Sequence, residues 1–263
     1  MSHFFCHFLP PPADSFTSTD CVVVADILRA TSVVTRALAS GITEILPCLE
    51  LDEAISLARA TPGSLLCGER QGLKPDGFDL GNSPGDYTPA RCQGRKIVMT
   101  TTNGTRALIA SASAGQINTF SFSNIWHTFN AISQWPGPVH LVGAGTDGQI
   151  SWEDTLACGL LADWLAQSGR PAGNDAARIA MATAQSEIGW LQPDAAGPQP
   201  KLVEVLKKGR GGRRVCEIGL EKDIVEVARF NDFAILCQVL KNPLRIVRGQ
   251  AAGQGPAQTS ETP

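Results

Sequence analysis

The chain predicts an α/β protein built on a mainly parallel central sheet. Two observations carry that prediction. The first is a set of short, continuously apolar runs rich in β-branched residues, the pattern of strands buried on both faces. The second is that helix-like segments follow these runs in turn, which is how βαβ units are written in a sequence. With 263 residues, 43% of them hydrophobic, the chain can bury a sizeable core as one large domain or two small ones.

Residues 21–26 (CVVVAD) are the first strand, and residues 30–40 (ATSVVTRALAS) the first helix, closed by Gly41 where a C′ glycine belongs. A strand at 44–48, a helix at 51–60 and a strand at 64–68 repeat the pattern. Residues 69–91 break it, being irregular and rich in Gly, Pro, Asp and Asn. Segments of that length in compact domains are functional or disordered. A strand at 96–100 leads to a helix at about 104–113, and strands at 117–122 and 139–144 follow. Ser151 and Asp154 have capping-box spacing ahead of a helix over 153–166. Beyond Ser168 the chain turns more helical, with candidates at 175–189 and 201–208, and the apolar run 233–240 fits a strand or a helix. The expected organisation is an N-terminal segment (1–20) and a single α/β domain (21–248) with a subdivision near 170 left open. A disordered tail (249–263) of Gly, Gln, Pro and Thr completes it.

Several function classes fall away. A formal net charge of −3 gives no global field for nucleic acid or an anionic membrane. No apolar stretch reaches membrane-spanning length. The opening MSHFFCHFLPPP has no basic n-region and its apolar part stops at three prolines. Eight cysteines without a C-x-x-C pair read as small buried hydrophobes of a reducing compartment, and a cytoplasmic location is expected. His3, Cys6 and His7 have metal-like spacing but lie beside a flexible-looking terminus, and His127 and His140 have no partner identifiable from spacing. There is no G-K-[ST] P-loop, no cysteine with arginine six positions on, and no second acid two residues after Asp26. Of the phosphoryl chemistries, a metal-assisted one with bound water is left.

In open parallel sheets ligands bind beyond the carboxyl ends of the strands, and here those ends are polar. Asp26 closes the first strand, with Arg29 three residues on and Thr31 at the helix start. A carboxylate there can hold a metal ion or a water, and a guanidinium can grip a phosphate or carboxylate. Glu69 and Arg70 follow the third strand, and the irregular segment contains Asp79, Asn82 and Ser83. The fourth strand ends in Thr100-Thr101-Thr102-Asn103-Gly104-Thr105, then Arg106. Hydroxyls and free N–H groups at a helix start suit a phosphate or sulfonate oxygen. Residues 143–148 spell G-x-G-x-x-G, yet no helix opens on the last glycine, which weakens a dinucleotide site. Glu153 and Asp154 form a carboxylate pair suited to Mg²⁺. Lys207, Lys208, Arg210, Arg213 and Arg214 make a cationic, glycine-rich loop, either solvated or a lid over an anion.

Taken together, the stretches DILRAT (26–31), GER (68–70), GFDLGNSP (77–84), TTTNGT (100–105) and 143–154 resemble the 2-phosphosulfolactate phosphatase family. The Gly211-Gly212 loop and EKDI (221–224) add to the likeness, in order over about residues 21–236. The resemblance implies a three-layer α/β/α fold and Mg²⁺-dependent hydrolysis of 2-phospho-3-sulfolactate, a step toward coenzyme M. On that basis Mg²⁺ is expected on some of Asp26, Glu69, Asp79, Glu153 and Asp154, with Asp26 and Arg29 in the chemistry. Arg29, Thr31, Arg70, Asn82, Ser83, Thr101, Thr102, Asn103, Gly104, Thr105 and Arg106 are expected around a small phosphorylated, sulfonated acid. The sequence leaves homo-oligomerisation open. A metal-independent anion-binding module and a dinucleotide-dependent oxidoreductase are the competing readings.

Overall fold

Every residue of the run Cys21–Ala25 is buried, as a strand covered on both faces requires. In the computed structural model, which describes residues 2–189, 191 and 195–249, this run is one strand of a nine-stranded sheet. The first half of the chain gives β1 (Phe4–His7), β2 (Cys21–Ala25), α1 (Ala30–Ala39), β3 (Glu44–Cys48), α2 (Leu51–Ala60), β4 (Leu65–Gly68) and α3 (Pro89–Cys92). Next come β5 (Lys96–Thr100), α4 (Gly104–Ala110), β6 (Gln116–Phe120), α5 (Ile125–Ser133), β7 (Val139–Gly143) and α6 (Trp152–Gln167). The remainder gives α7 (Asp175–Glu187), β8 (Gly197–Pro198), α8 (Pro200–Lys208), α9 (Arg210–Glu217), α10 (Glu221–Val227), β9 (Arg229–Phe230), β10 (Leu236–Leu240) and β11 (Arg245–Gly249). Strands β8 and β9 form a separate antiparallel pair.

The protein is α/β, with a mainly parallel sheet flanked by helices. Its order is β1-β7-β2-β6-β10-β11-β3-β5-β4. The first four strands in that order are mutually parallel, and so are the last three. The hairpin β10–β11 joins the two groups by antiparallel pairing on both sides, so the groups run in opposite senses. Opposite senses would put the carboxyl ends of β2 and β5 at opposite edges of a flat sheet. The segments just beyond these two strands nevertheless meet at one corner. Gly104, just past β5, lies so close to Asp26, just past β2, that a Cβ on it would sit 3.0 Å from Asp26 Oδ2.

Alternate residues of β2 face two cores. Cys21, Val23 and Ala25 pack with Leu156, Leu160 and Trp164 of α6. Val22 and Val24 pack with Val33 and Ala37 of α1 and with Ala107 and Leu108 of α4. Helices thus cover both faces, the three-layer arrangement expected. Helix α6 begins where Ser151 Oγ accepts the Asp154 N–H at 3.2 Å. It is buried from Glu153 through Leu165, which explains why its apolar residues show no single stripe.

Several expectations are corrected. The cationic stretch 207–214 is helical: it ends α8 and opens α9. The segment 69–91 holds a short 3-10 turn, Pro84–Asp86, and the single helical turn α3. Residues 1–20 supply β1, whose register on β7 runs from Phe4↔Val139 to His7↔Val142, so His3, Cys6 and His7 adjoin an ordered strand. The run 233–240 resolves as β10, and Gly249, placed in the tail by composition, ends β11. Only Ile246 of β11 is buried and two arginines sit in the strand, so no apolar run marked it. The rest of the expected tail lies outside the described residues. All eight cysteines are free, seven of them buried. Among the described residues no helix is long and apolar enough to cross a membrane.

Candidate active site

The turn after β2 closes on itself. The Asp26 N–H donates to Thr31 Oγ1 at 3.1 Å, and the Thr31 N–H returns to the Asp26 carbonyl at 2.8 Å. Thr31 is thereby a turn-closing residue. Its exchange holds the Asp26 carboxylate at the start of α1, where Oδ1 accepts the Ala30 N–H at 3.3 Å. Arg29, on the same turn, is buried. Its Nη1 donates to Asp223 Oδ2 at 2.5 Å and to Ser83 Oγ at 3.3 Å, and Nη2 donates to the Gly72 carbonyl. Ser83 also donates to Asp223 Oδ2, at 2.8 Å. The arginine thus ties together the turn after β2, the loop after β4, the GNSP segment and α10.

The loops after β4 and β5 meet through Glu69. Its Oε1 accepts both the N–H and the hydroxyl of Thr102, at 3.0 and 2.8 Å, and Oε2 accepts the Gly72 N–H at 2.8 Å. The Gly104 N–H is directed at Asp26. Thr101 and Thr105 pair their hydroxyls at 3.3 Å, and the Thr100 hydroxyl donates to the Leu49 carbonyl at 3.1 Å. Of the donors expected to bind an anion in TTTNGT, those of Thr102 are taken by Glu69 and the Gly104 N–H faces Asp26. Arg70 is likewise engaged: Nη2 donates to the Leu49 carbonyl and to Thr100 Oγ1, and Nη1 to its neighbour's carbonyl.

The loop after β7 brings two more acids. Asp154 bridges two loops, Oδ1 accepting the Ile27 N–H at 2.8 Å and Oδ2 the Gly145 N–H at 3.1 Å. Glu153 is buried and its Oε2 has no hydrogen-bond partner among the described residues. Burial pushes Asp26 up to about 7, with Glu69 and Glu153 adding to the rise while the Ala30 and Gly104 N–H groups oppose it. Burial also holds Asp154 well above the usual carboxylate range, helped by the charges of Asp26 and Glu153. Glu153 is raised by burial too. Like charges this close in a dry pocket resist joint ionisation, and a cation between them relieves both the desolvation and the repulsion. The orphaned Glu153 oxygen, whose charge acts on Asp26, therefore fits a hard divalent cation in charge and donor type. Among the described residues, no group of three or more His, Cys, Asp or Glu side chains is arranged to hold a metal ion alone. Such an ion would complete its shell with water and ligand oxygens, as Mg²⁺ commonly does.

Asp26, Arg29, Glu69, Glu153 and Asp154 are gathered at one corner, with Thr31, Thr102 and Gly104 as their supports, while Thr101 and Thr105 bind each other beside Gly104. Asn82 is buried with Oδ1 unpartnered, next to the Ser83 that touches Arg29. Asn103 accepts the Asp147 N–H at 3.3 Å. Arg106 is exposed on α4. Asp79 stands apart: it is exposed and its Oδ2 accepts the Leu66 N–H at 2.8 Å, pinning the outer strand β4. Asp223 was not singled out as a site residue. Its only sequence signal is its place in EKDI, and its pairing with Arg29 spans 194 positions.

The profile of the 2-phosphosulpholactate phosphatase family matches residues 9–242. Among similar proteins is a probable 2-phosphosulfolactate phosphatase of Symbiobacterium thermophilum, 33% identical over 86% of this chain and 93% of its own length. Another, from Caldanaerobacter subterraneus subsp. tengcongensis, is 35% identical over 84% of this chain and 88% of its own. A third, from Gloeobacter violaceus, is 36% identical over 82% and 87%. Each carries the same name.

Proposed function

The chain belongs to the 2-phosphosulfolactate phosphatase family, and from that premise we propose that it hydrolyses 2-phospho-3-sulfolactate, with Mg²⁺, to the hydroxy acid and phosphate. The observation that carries this reading is the convergence of Asp26, Glu153 and Asp154 at one buried corner, with Glu153 Oε2 left unpartnered. In this proposal the reaction is a cytoplasmic step toward coenzyme M.

Asp26 and Glu153 would hold the ion. When bound, it supplies Lewis acidity toward a phosphoryl oxygen and toward water. Asp154, with both oxygens on backbone N–H groups, fixes the loops after β2 and β7 against each other. Glu69 does the same for the loops after β4 and β5. Arg29 brings fixed positive charge to a site of clustered acids, held in orientation by Asp223, Ser83 and the Gly72 carbonyl. Preorganised charge of this kind favours a phosphoryl group as negative charge develops. Substrate is expected to enter beside Asn82, whose buried oxygen is free of partners.

Phosphate release from racemic 2-phospho-3-sulfolactate, with and without Mg²⁺, beside phospholactate and an aryl phosphate, tests the proposal. Mg²⁺-dependent release favouring the sulfonated ester is the expected outcome. Preference for phospholactate would overturn the substrate, and undiminished release in chelator would overturn the metal.

A further inference from the structure

Helix α9 reads GRGGRRVCE with its N-cap, and glycine in a first turn is disfavoured against alanine. Close contacts account for these glycines. A Cβ at Gly212 would lie 2.0 Å from the Leu206 carbonyl of α8, and one at Gly209 would lie 2.9 Å from both Trp152 Cβ and Glu153 Oε2. At Gly211 the contact is with the site itself: a Cβ there would lie 1.8 Å from Glu153 Oε1 and 2.8 Å from its Cδ. The first turn of α9 is therefore seated directly on the buried carboxylate that has a free oxygen.

The rest of the helix reaches the loops on both sides. Arg210 Nη2 pairs with Asp147 Oδ2 at 2.5 Å and Nη1 contacts Gln149 Oε1 at 3.2 Å, both in the loop after β7. Arg214 Nη2 donates to the Gln71 carbonyl at 3.4 Å, in the loop after β4. Just past the helix, Ile218 approaches Gly72, the residue that binds both Arg29 and Glu69. These latches are exposed, and exposed ion pairs contribute little, so the seat of the helix rests mainly on buried Val215 and on Gly212 against α8.

We propose that α9 is the closing element of the site and that Gly211 is a positioning residue, its missing side chain setting where the Glu153 carboxylate stands when the helix is seated. This rests on the phosphatase reading for its kinetic consequence and on geometry alone for its structural one.

The test is Gly211→Ala in two backgrounds, wild type and Glu153→Asp, whose shorter side chain withdraws from the clash. Displacing a reacting group by about 1 Å costs about 10²-fold in turnover, so a fall in kcat of that size is expected in wild type. The helix preference of alanine over glycine offsets part of this overpacking, so the melting temperature should fall by only a few degrees. In the Glu153→Asp background the same alanine should cost less than about two-fold, since the coupled pair is already relieved. Equal factors in the two backgrounds, or no loss in wild type, would overturn the proposal. Hydrogen exchange of residues 210–216 gives a readout that needs no substrate. Exchange should speed up with Gly211→Ala in wild type and not in Glu153→Asp. If no phosphate is released from any ester, this pattern still supports the seat, and its absence refutes it.

Discussion

Asp26 shows how much of the site's character lies in one buried charge. Its carboxyl titrates near 7 in the folded protein against 3.8 for the free group, with burial as the main cause. A group whose folded pKa is raised contributes stability that is fully present below the unfolded value and lost as pH rises through the folded one. In the metal-free protein the window therefore runs from about pH 4 to pH 7. Asp26→Asn should accordingly stabilise the chain at pH 8 by a few kcal/mol, on the order of 3 pH units at about 1.4 kcal/mol each. The gain should vanish near pH 3.5, while turnover falls by about 10² or more. Urea titrations at the two pH values, alongside the phosphatase assay, check both halves. Arg29 and Asp223 make the complementary case. Both are buried and paired at 2.5 Å, and removing one partner of such a pair leaves an uncompensated charge. Asp223→Ala is expected to cost about 3–5 kcal/mol in unfolding free energy, and no change in the urea midpoint would refute the pairing's role.

At the scale of elements, β1 shows why a short strand at the start of the chain stays seated. Asn174, the N-cap of α7, accepts the Cys6 N–H and donates to the Cys6 carbonyl, so one side chain starts a helix and holds the strand. On the same strand His7 Nε2 meets His140 Nδ1 at 3.0 Å, under Phe5 and Phe16. Burial lowers His7 to about 4, with the neighbouring His140 adding to the effect, and burial lowers His140 as well. Above pH 6.5 both folded and unfolded chains hold His7 neutral. As pH falls from 6.5 to about 4 the unfolded chain takes up the proton first, so stability drops by up to about 3 kcal/mol. Asp20, 3.8 Å from His140 Nε2, partly counters this at His140. His7→Phe should flatten that part of the stability profile, measurable as a smaller shift of the urea midpoint between pH 7 and pH 4.

For the whole molecule, the two halves of the sheet, with α9 and α10 against them, bring together acids delivered by strands that are remote in sequence. A divalent cation that binds the folded site stabilises it by mass action. Mg²⁺ at about 100 times its dissociation constant should raise stability by about 2.7 kcal/mol, seen as a rise of several degrees in melting temperature at pH 8. The rise should disappear in Asp26→Asn. An equal rise in that variant would place the ion elsewhere.

The strand-and-helix alternation from β2 to α6 was legible because it depends on local patterning: continuous apolar runs, a glycine at residue 41, and a serine–aspartate cap at residues 151 and 154. The polar strand ends were legible as well, since Asp26, Glu69 and the acids at 153–154 each close a recognisable strand or open a helix. Strands β1 and β11 were not, because one is stopped by prolines and the other carries arginines, and each is held as a strand by its neighbours. Helix α9 read as a loop because two of the glycines that lower its propensity, Gly209 and Gly211, have their reason in Glu153, which no local window contains. The fate of Thr102 was equally hidden. Hydroxyls and N–H groups at a helix start attract whatever anion lies nearest, and the pairing of β4 on β5 made that anion Glu69. The sequence by itself determined the fold class, the family likeness and the kinds of groups at the strand ends, because those follow from periodicity and residue chemistry. Tertiary structure alone decided which acids share one pocket, which arginine is held by Asp223, and which donors are already engaged. Those depend on distances between segments from 21 to 194 residues apart, and such distances exist only once the sheet has assembled.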